Sequence, residues 1–268
     1  MNAFYEFFAG GGMARAGLGR GWTCLFANDF DPKKAASYRA NWGDGEMVEG
    51  DVRGISLDDL PNHADLAWAS FPCQDLSLPG AGGGLRGERS GAFWPFADIL
   101  RELAEDGRAP KTVALENVAG ALVSRGGRDF RAIYGALVGL GYGCGEFVAD
   151  AALLVPQSRP RLFVVAVRRD LDIVGAASGP RSLWHASSIR KAHADLPDAL
   201  ARSWIWWSMP RPTKRQARLE DLVDEPSVEA EWDAHAETET LLSMMSRANL
   251  AKVDVAKAAG VRVAGGVC

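Results

Sequence analysis

Cys73 is the residue whose neighbours best suit a nucleophile. It follows Phe71 and Pro72, directly after an apolar run, 66–70, that has the length and composition of a buried strand. Pro72 has no N–H to donate, so the strand should end there. Cys73 should then lie at a strand's carboxyl end, where parallel α/β sheets bind their ligands. The glycine-rich stretch 80–84 predicts a mobile loop. The residues alone leave two interpretations: a nucleophilic thiol beneath a lid, or a small buried cysteine.

One carboxylate and two arginines are further candidates for chemistry. Glu116 follows a predicted strand, 111–115, and at such a depth it is either a paired structural acid or a catalytic one. Arg159 and Arg161 lead into another predicted strand, 162–167, and residues two apart in an extended chain share a face. Together they would bind an anion or a carbonyl. A surface charge pair is the alternative.

A glycine-rich turn follows the first predicted strand, 3–8. Ala9 precedes three glycines, 10–12, which allow the backbone to approach a ligand closely, with a helix N-terminus behind it. The spacing is not the dinucleotide fingerprint G-x-G-x-x-G, because Arg15 stands where the third glycine belongs. An ordinary tight turn is the alternative.

Acidic residues follow the next two predicted strands. Asp29 and Phe30 come after strand 22–28, and Asp51 lies towards the end of strand 48–52. In α/β folds of this kind an acid after the second strand holds a ribose hydroxyl, and an aromatic ring beside it can stack on a purine. Each acid by itself could be a solvated loop residue or a helix cap. Their placement at successive strand ends favours a common ligand.

The elements that must position these residues alternate between strand and helix. Apolar residues at helical spacing predict helices at 93–104 and 130–140, with Gly141 as the stop of the second. The alternation predicts a doubly wound, Rossmann-like α/β domain over residues 1–170. Residues 171–268 should form a smaller region. It contains, in this order, an aromatic run (204–207), a basic cluster (211–218), two predicted helices (238–245 and 249–259) and a strand-like ending (261–268).

Composition excludes several classes of protein. The 268 residues are 47% hydrophobic, with a formal charge of −4, which argues against a uniformly basic nucleic-acid coat but not against a local basic cleft. The four cysteines have no regular spacing, so we expect neither disulfides nor a metal site, and a reducing compartment. We find no signal peptide and no membrane-spanning run, and therefore expect a cytoplasmic protein.

With these motifs placed, the first 170 residues resemble the catalytic domain of DNA (cytosine-5)-methyltransferases. Four short motifs carry the resemblance, in the family's order and spacing: Phe8-Ala9-Gly10-Gly11-Gly12, Pro72-Cys73-Gln74, Glu116-Asn117-Val118 and Gln157-Ser158-Arg159-Pro160-Arg161. Any one tripeptide is weak evidence, whereas four in order are specific. The resemblance covers about two-thirds of the chain.

The resemblance implies that S-adenosylmethionine binds at the first three strand ends, leaving S-adenosylhomocysteine as the product. Phe8 and Phe30 would flank the adenine, Asp29 would hold the ribose hydroxyls, and Asp51 would accept from the adenine amino group. The remaining expected cofactor-binding residues are Ala9, Gly10, Gly12, Val52 and Pro72. Glu6 stands where the family often has Asp, which keeps the charge.

The resemblance also implies the reaction and its catalytic residues. The Cys73 thiolate would add to carbon 6 of cytosine and make carbon 5 nucleophilic. Glu116 would bind N3 and the exocyclic amine, Arg161 would hold the ring carbonyl, and Arg159 would support the loop or the thiolate. Double-stranded DNA is the expected partner, with the cytosine flipped out of the stack and the protein near the nucleoid. Restriction–modification or phage DNA protection is the implied role.

The sequence departs from the family towards its C-terminus, where we do not find the family's last motif. We therefore expect a truncated or split enzyme, weakly active by itself and completed by a C-terminal fragment or subunit. A catalytically silent methyltransferase-fold partner is the alternative function, and an RNA cytosine methyltransferase is a further one. The target DNA sequence cannot be inferred without the recognition region.

Overall fold

A computed structural model describes residues 2–72, 84–87, 90–173, 176–177, 179–180, 182–213 and 234–260. Its main feature is one seven-stranded sheet. The strands are β1 (Asn2–Phe7), β2 (Trp22–Asp29), β3 (Met47–Glu49), β4 (Leu66–Ala69), β5 (Thr112–Val118), β6 (Tyr142–Asp150) and β7 (Pro160–Arg168). The helices are α1 (Met13–Leu18), α2 (Pro32–Trp42), α3 (Phe93–Glu105), α4 (Arg128–Gly139), α5 (Ser187–Ala194), α6 (Asp198–Ala201), α7 (His235–Ser243) and α8 (Arg247–Ala258).

The strand order is β3-β2-β1-β4-β5-β7-β6. The first five strands in this order are parallel to one another, whereas β7 is antiparallel to both β5 and β6. The order reverses direction between β1 and β4, and this switch point is where open α/β sheets bind ligands, beyond the carboxyl ends of the strands. The predicted doubly wound α/β fold is confirmed.

Both faces of the sheet are buried. Successive side chains of a strand point to opposite faces, so neighbouring residues of β1 belong to different cores. Phe4 belongs to a smaller core with residues of α2, including Tyr38. Its neighbours Tyr5 and Phe7 belong to the larger core on the opposite face, which includes residues of α3 and α4. All four aromatic side chains have no exposed surface. The strand that leads into the glycine turn is therefore held firmly on both sides.

Local signals in the sequence predict most element boundaries correctly. Pro32 opens α2 at its first turn, and the Asp31 side chain caps that helix by accepting from Lys33 N at 2.9 Å. Gly141 follows α4 with φ = 93°, a left-handed conformation that glycine adopts readily. The β4 strand ends at Ala69, as the position of Pro72 predicts.

Two strand ends differ from the prediction. β3 stops at Glu49, and Asp51 caps a short 3-10 turn rather than ending the strand, because its carboxylate accepts from Arg53 N at 2.9 Å. β5 continues to Val118, so Glu116 lies inside the strand rather than after it. The antiparallel partner β7 extends β5, since Val118 pairs with Arg161.

The chain divides into two compact units: one comprises Met1–Asp150 and Pro160–Arg211, and the other Ala151–Arg159 and Pro212–Cys268. The 203–207 segment packs on β6 within the first unit, and the domain boundary expected at residue 170 remains a prediction. Ile205 N donates to Cys144 O at 2.7 Å, and Trp207 Nε1 donates to Gly145 O at 3.0 Å. This segment satisfies the edge of β6, which the sequence alone does not pair.

The described part of the second unit contains α7 and α8, close to the helices predicted at 238–245 and 249–259. Ser246 caps α8 by accepting from Asn249 N at 3.3 Å. Neither helix has a buried side chain. The predicted strand at 261–268 and most of the basic cluster, 214–218, lie outside the described residues. None of the described helices has the length and apolar character that crossing a membrane requires.

Candidate functional site

Backbone hydrogen bonds join the carboxyl ends of β1, β2 and β3 into one cradle. Ala9 N donates to Asn28 O at 2.8 Å, which fixes the start of the glycine turn against β2. Gly50 N donates to Asp29 O at 3.0 Å, which fixes the chain after β3 against β2. The three strand ends that the sequence assigned to one ligand are therefore adjacent.

Asp29 is the central side chain of this cradle. It is buried, and its two carboxylate oxygens accept from Gly10 N at 2.8 Å and from Asp31 N at 2.9 Å. Hydrogen bonds to a carboxylate are stronger than those between neutral groups, so Asp29 fixes the glycine turn. The structure thus gives Asp29 a positioning contact that the sequence did not predict. Its expected contact with a ribose remains a prediction.

The glycine turn contains three residues in the left-handed backbone conformation, which is uncommon for residues other than glycine. Gly10 and Gly12 have φ = 58° and 81°, and Phe8 also has a left-handed φ of 57°. A side chain on Gly10 would meet no atom within 4 Å, so the turn faces open space there. A side chain on Gly12 would collide with the Trp42 ring. Gly10 therefore gives a ligand access to the backbone, and Gly12 permits close packing of α2.

Glu6 lies in β1 beneath the turn and is 2% exposed. Oε1 accepts from Ala14 N at 3.1 Å, whereas Oε2 is buried and has no hydrogen-bond partner. Burial raises the pKa of Glu6 to about 7, and hydrogen bonds from the Ala14 and Arg15 backbone oppose that rise only in part. An unpaired acceptor of this kind suits a cation bound at the turn.

The other expected cofactor residues surround the cradle with different exposures. Phe30 is 72% exposed, which leaves its ring free to stack on a flat ligand. Val52 is buried, and Asp51 forms an ion pair with Arg53 at 3.0 Å. Asp51 would have to share its carboxylate between that guanidinium and a ligand.

Glu116 and Arg161 form an ion pair on the other side of the switch point. Arg161 Nε lies 2.9 Å from Glu116 Oε1, and their side chains are 20% and 26% exposed. The antiparallel register places Arg161 opposite Val118, two residues beyond Glu116 on the same face. Strands lie about 4.8 Å apart, so β5 is about 10 Å from β1. The structure brings these two predicted residues together.

Two predicted catalytic residues are not placed with this pair. Cys73 lies outside the described residues, as does the glycine stretch up to residue 83; Pro72 is the last described residue before them. Arg159 belongs to the second compact unit, where its carbonyl oxygen accepts from Ala151 N at 3.3 Å. Their roles remain predictions.

Two asparagines contribute contacts that the sequence analysis did not predict. Asn28 Nδ2 donates to Val48 O at 3.0 Å and Gly50 O at 2.9 Å, which ties β2 to the end of β3. Asn117 Nδ2 donates to Phe71 O at 3.1 Å, which ties β5 to the chain just before Pro72. Asn28 precedes Asp29, and Asn117 follows Glu116. A buried amide needs hydrogen-bond partners, so an asparagine at a strand end was the signal that the sequence offered.

The sheet order and the strand directions define an α/β fold that this chain shares with solved methyltransferases. Among solved structures, a DNMT2 variant from Spodoptera frugiperda has a TM-score of 0.59 at 18% identity, covering 85% of this chain and 61% of that one. A putative DNA modification methyltransferase from an Escherichia coli prophage has a TM-score of 0.55 at 18% identity, covering 74% and 56%. These likenesses show the fold.

The chain belongs to the C-5 cytosine-specific DNA methylase family, whose model matches residues 2–258. It is 37% identical over 172 residues to the type II methyltransferase M.BsuFI of Bacillus subtilis, covering 63% of this chain and 40% of that protein. It is 31% identical over 172 residues to M.HhaI of Haemophilus parahaemolyticus, covering 63% and 50%. The chain thus spans about half the length of these relatives, or less.

Proposed function

We propose that this protein transfers a methyl group from S-adenosylmethionine to carbon 5 of a flipped-out cytosine in double-stranded DNA. The observation that supports this most directly is the Glu116–Arg161 pair at 2.9 Å, two strands from a glycine turn held by Asp29. Restriction–modification is the role that fits the type II relatives.

Four residues of the cradle fit the cofactor. The unpaired Oε2 of Glu6 supplies an acceptor for an ammonium group, and the open space beside Gly10 admits a ligand against the backbone. Asp29 holds the turn in position, and the exposed Phe30 ring is available to stack on a purine. When bound, S-adenosylmethionine would supply an electrophilic methyl group.

Glu116 and Arg161 would hold the cytosine ring. With a proton on the carboxyl oxygen that does not face Arg161, Glu116 would donate to N3 and so relieve the negative charge that develops there when a nucleophile adds to carbon 6. The guanidinium of Arg161 would donate to the ring carbonyl while it orients Glu116. The Cys73 thiolate would form a bond to carbon 6, which makes carbon 5 nucleophilic. After transfer, a base from the solvent would take the carbon-5 proton; the electron pair of that C–H bond would re-form the carbon 5–carbon 6 double bond as the Cys73 thiolate leaves.

The two described cysteines are poor alternatives as nucleophiles. Burial raises the pKa of Cys24 to about 11, even though Tyr38 and Arg15 lower it in part. Cys144 is fully buried, and burial raises the pKa of its thiol well above the ordinary value. Neither thiol is ionised at neutral pH, and only the thiolate is a competent nucleophile.

A duplex that carries 5-fluorocytosine tests the proposal, because fluorine cannot leave as the proton does. The purified chain should form a covalent protein–DNA adduct in the presence of S-adenosylmethionine, and peptide mapping should assign it to Cys73. Cys73→Ser should abolish the adduct, while the matched variant Cys24→Ser should retain it. An adduct at another cysteine would contradict the assignment of the nucleophile.

Methyl transfer from labelled cofactor to mixed DNA and RNA substrates tests the substrate. We expect label in DNA cytosine and none in RNA. If the chain alone binds S-adenosylhomocysteine without transferring label, addition of a C-terminal segment from a full-length relative should restore transfer. Failure of both cofactor binding and transfer would contradict the proposed function.

A further inference from the structure

Asp129 is a buried carboxylate that none of the motifs includes. It lies in the first turn of α4 and has no exposed surface. It accepts from Leu85 N at 3.2 Å and from Ser124 Oγ at 2.5 Å, and it pairs with Arg125, whose Nε lies 3.0 Å from Oδ1. Burial acts to raise the pKa of Asp129, but the bonds from Arg125, Ser124 and Leu85 outweigh it and lower the pKa. The carboxylate is therefore ionised and fully paired.

The ion-pair partner of Asp129, Arg125, has a strained backbone conformation. Arg125 has φ = 46°, a left-handed conformation that is unfavourable for a residue with a side chain. Gly84 also has a left-handed φ, of 55°, and a side chain there would collide with Asp129 and lie 2.5 Å from Arg125 Nε. Residues 84 and 85 therefore approach the carboxylate as closely as their backbone allows. Strain of this kind is often found near functional sites.

Phe71 and Leu85 are held by residues that flank one connection, the segment between β5 and α4. Asn117, next to Glu116 in β5, holds the carbonyl of Phe71 at 3.1 Å. Asp129, at the start of the following helix, holds the N–H of Leu85. The two attachment points also meet through aromatic rings, because Phe71 packs on Phe93 with ring centroids 5.6 Å apart. Trp94, next to Phe93, donates from Nε1 to Leu85 O at 3.3 Å.

We propose that Asp129 is a positioning residue that fixes the exit of the Cys73-bearing chain relative to Glu116, while Asn117 fixes its entry. The inference rests on the proposed function and adds a residue to it. Asp129 would act on the reaction only indirectly, through Leu85 and through the β5–α4 connection that follows Glu116. The buried charge, the strained Arg125 and the tight approach of Gly84 all serve this attachment.

The experiment compares Asp129→Asn with Asp65→Asn. Asp65 is a matched control because its carboxylate also accepts from a backbone N–H, that of Ala3 at 2.9 Å, and pairs with a cation, Lys111, at 2.7 Å. It lies at the opposite end of β4 from Pro72. A third variant, Arg125→Gly, removes the guanidinium but suits the left-handed backbone, so that a folded protein remains available.

We expect Asp129→Asn and Arg125→Gly to slow the formation of the 5-fluorocytosine adduct at least tenfold. Their affinity for S-adenosylhomocysteine should stay within twofold of the wild type, and Asp65→Asn should leave both values unchanged. A merely structural role would instead lower cofactor affinity and adduct formation together, in proportion to the loss of folded protein.

Two results would overturn the inference. One is adduct formation at the wild-type rate in a folded Asp129→Asn variant. The other is an unchanged rate of Cys73 alkylation, measured if the wild type forms no adduct. Absence of the adduct would by itself count against the proposed function. The alkylation rate of Cys73 by iodoacetamide then decides: we expect a change of at least threefold in Asp129→Asn and none in Asp65→Asn. An equal rate in all three proteins would show that Asp129 does not position this chain.

Discussion

Replacement of Glu6 by Gln should remove a large part of the pH dependence of stability. The pKa of Glu6 in the folded protein is raised from 4.5 to about 7, chiefly by burial. A raised folded-state pKa means that the native state binds a proton that the unfolded state releases. The contribution of Glu6 is therefore fully present below the unfolded pKa and is lost as the pH rises to the folded pKa.

The size of this effect follows from the shift. A rise of this size corresponds to about 3 kcal/mol of free energy of unfolding, lost between about pH 4.5 and 7. Urea unfolding at intervals between about pH 4 and 8, followed by tryptophan fluorescence, measures it. Glu6→Gln should lack this loss, whereas Glu102→Gln, an exposed control on α3, should behave as the wild type. Equal pH profiles for the wild type and Glu6→Gln would refute the argument from burial.

The same residue links protonation to cofactor binding. An ammonium group beside the unpaired Oε2 would lower the pKa of Glu6, so S-adenosylhomocysteine should release protons on binding near pH 7. Calorimetry in two buffers with different ionisation enthalpies counts these protons. Glu6→Gln should release fewer; an unchanged number would show that Glu6 does not contact the ligand.

Three further predictions concern buried groups. Glu146 is fully buried without a partner, and burial raises its pKa well above the ordinary value. Glu146→Gln should therefore remove a fall in stability of up to about 1.4 kcal/mol per pH unit above the unfolded pKa, measured by urea unfolding. Gly145→Ala would push a side chain into the 203–207 segment and should lower the free energy of unfolding by at least about 2 kcal/mol. The control Gly17→Ala places its methyl group in open space on α1 and should raise Tm slightly. Asp29→Ala removes two hydrogen bonds to a carboxylate and should weaken S-adenosylhomocysteine binding at least tenfold by calorimetry; unchanged affinity would separate Asp29 from the cofactor site.

Local patterns in the sequence were sufficient to predict the framework of the site. Strand lengths, the glycines after β1 and the proline before Cys73 act over a few residues, because they depend on backbone conformation and on side-chain alternation. They predicted the ends of β1, β2 and β4, and the order of the helices between them. The four motifs added the family, since their order along the chain is itself sequence information.

The tertiary structure alone decided which side chains meet. The pairing of Glu116 with Arg161 depends on β7 running antiparallel to β5, and strand direction is set by packing across the sheet rather than by either strand's residues. The attachment of Leu85 to Asp129 joins residues 44 positions apart. No local pattern predicts such contacts, because their stability comes from burial and hydrogen bonding between segments that only the folded chain brings together.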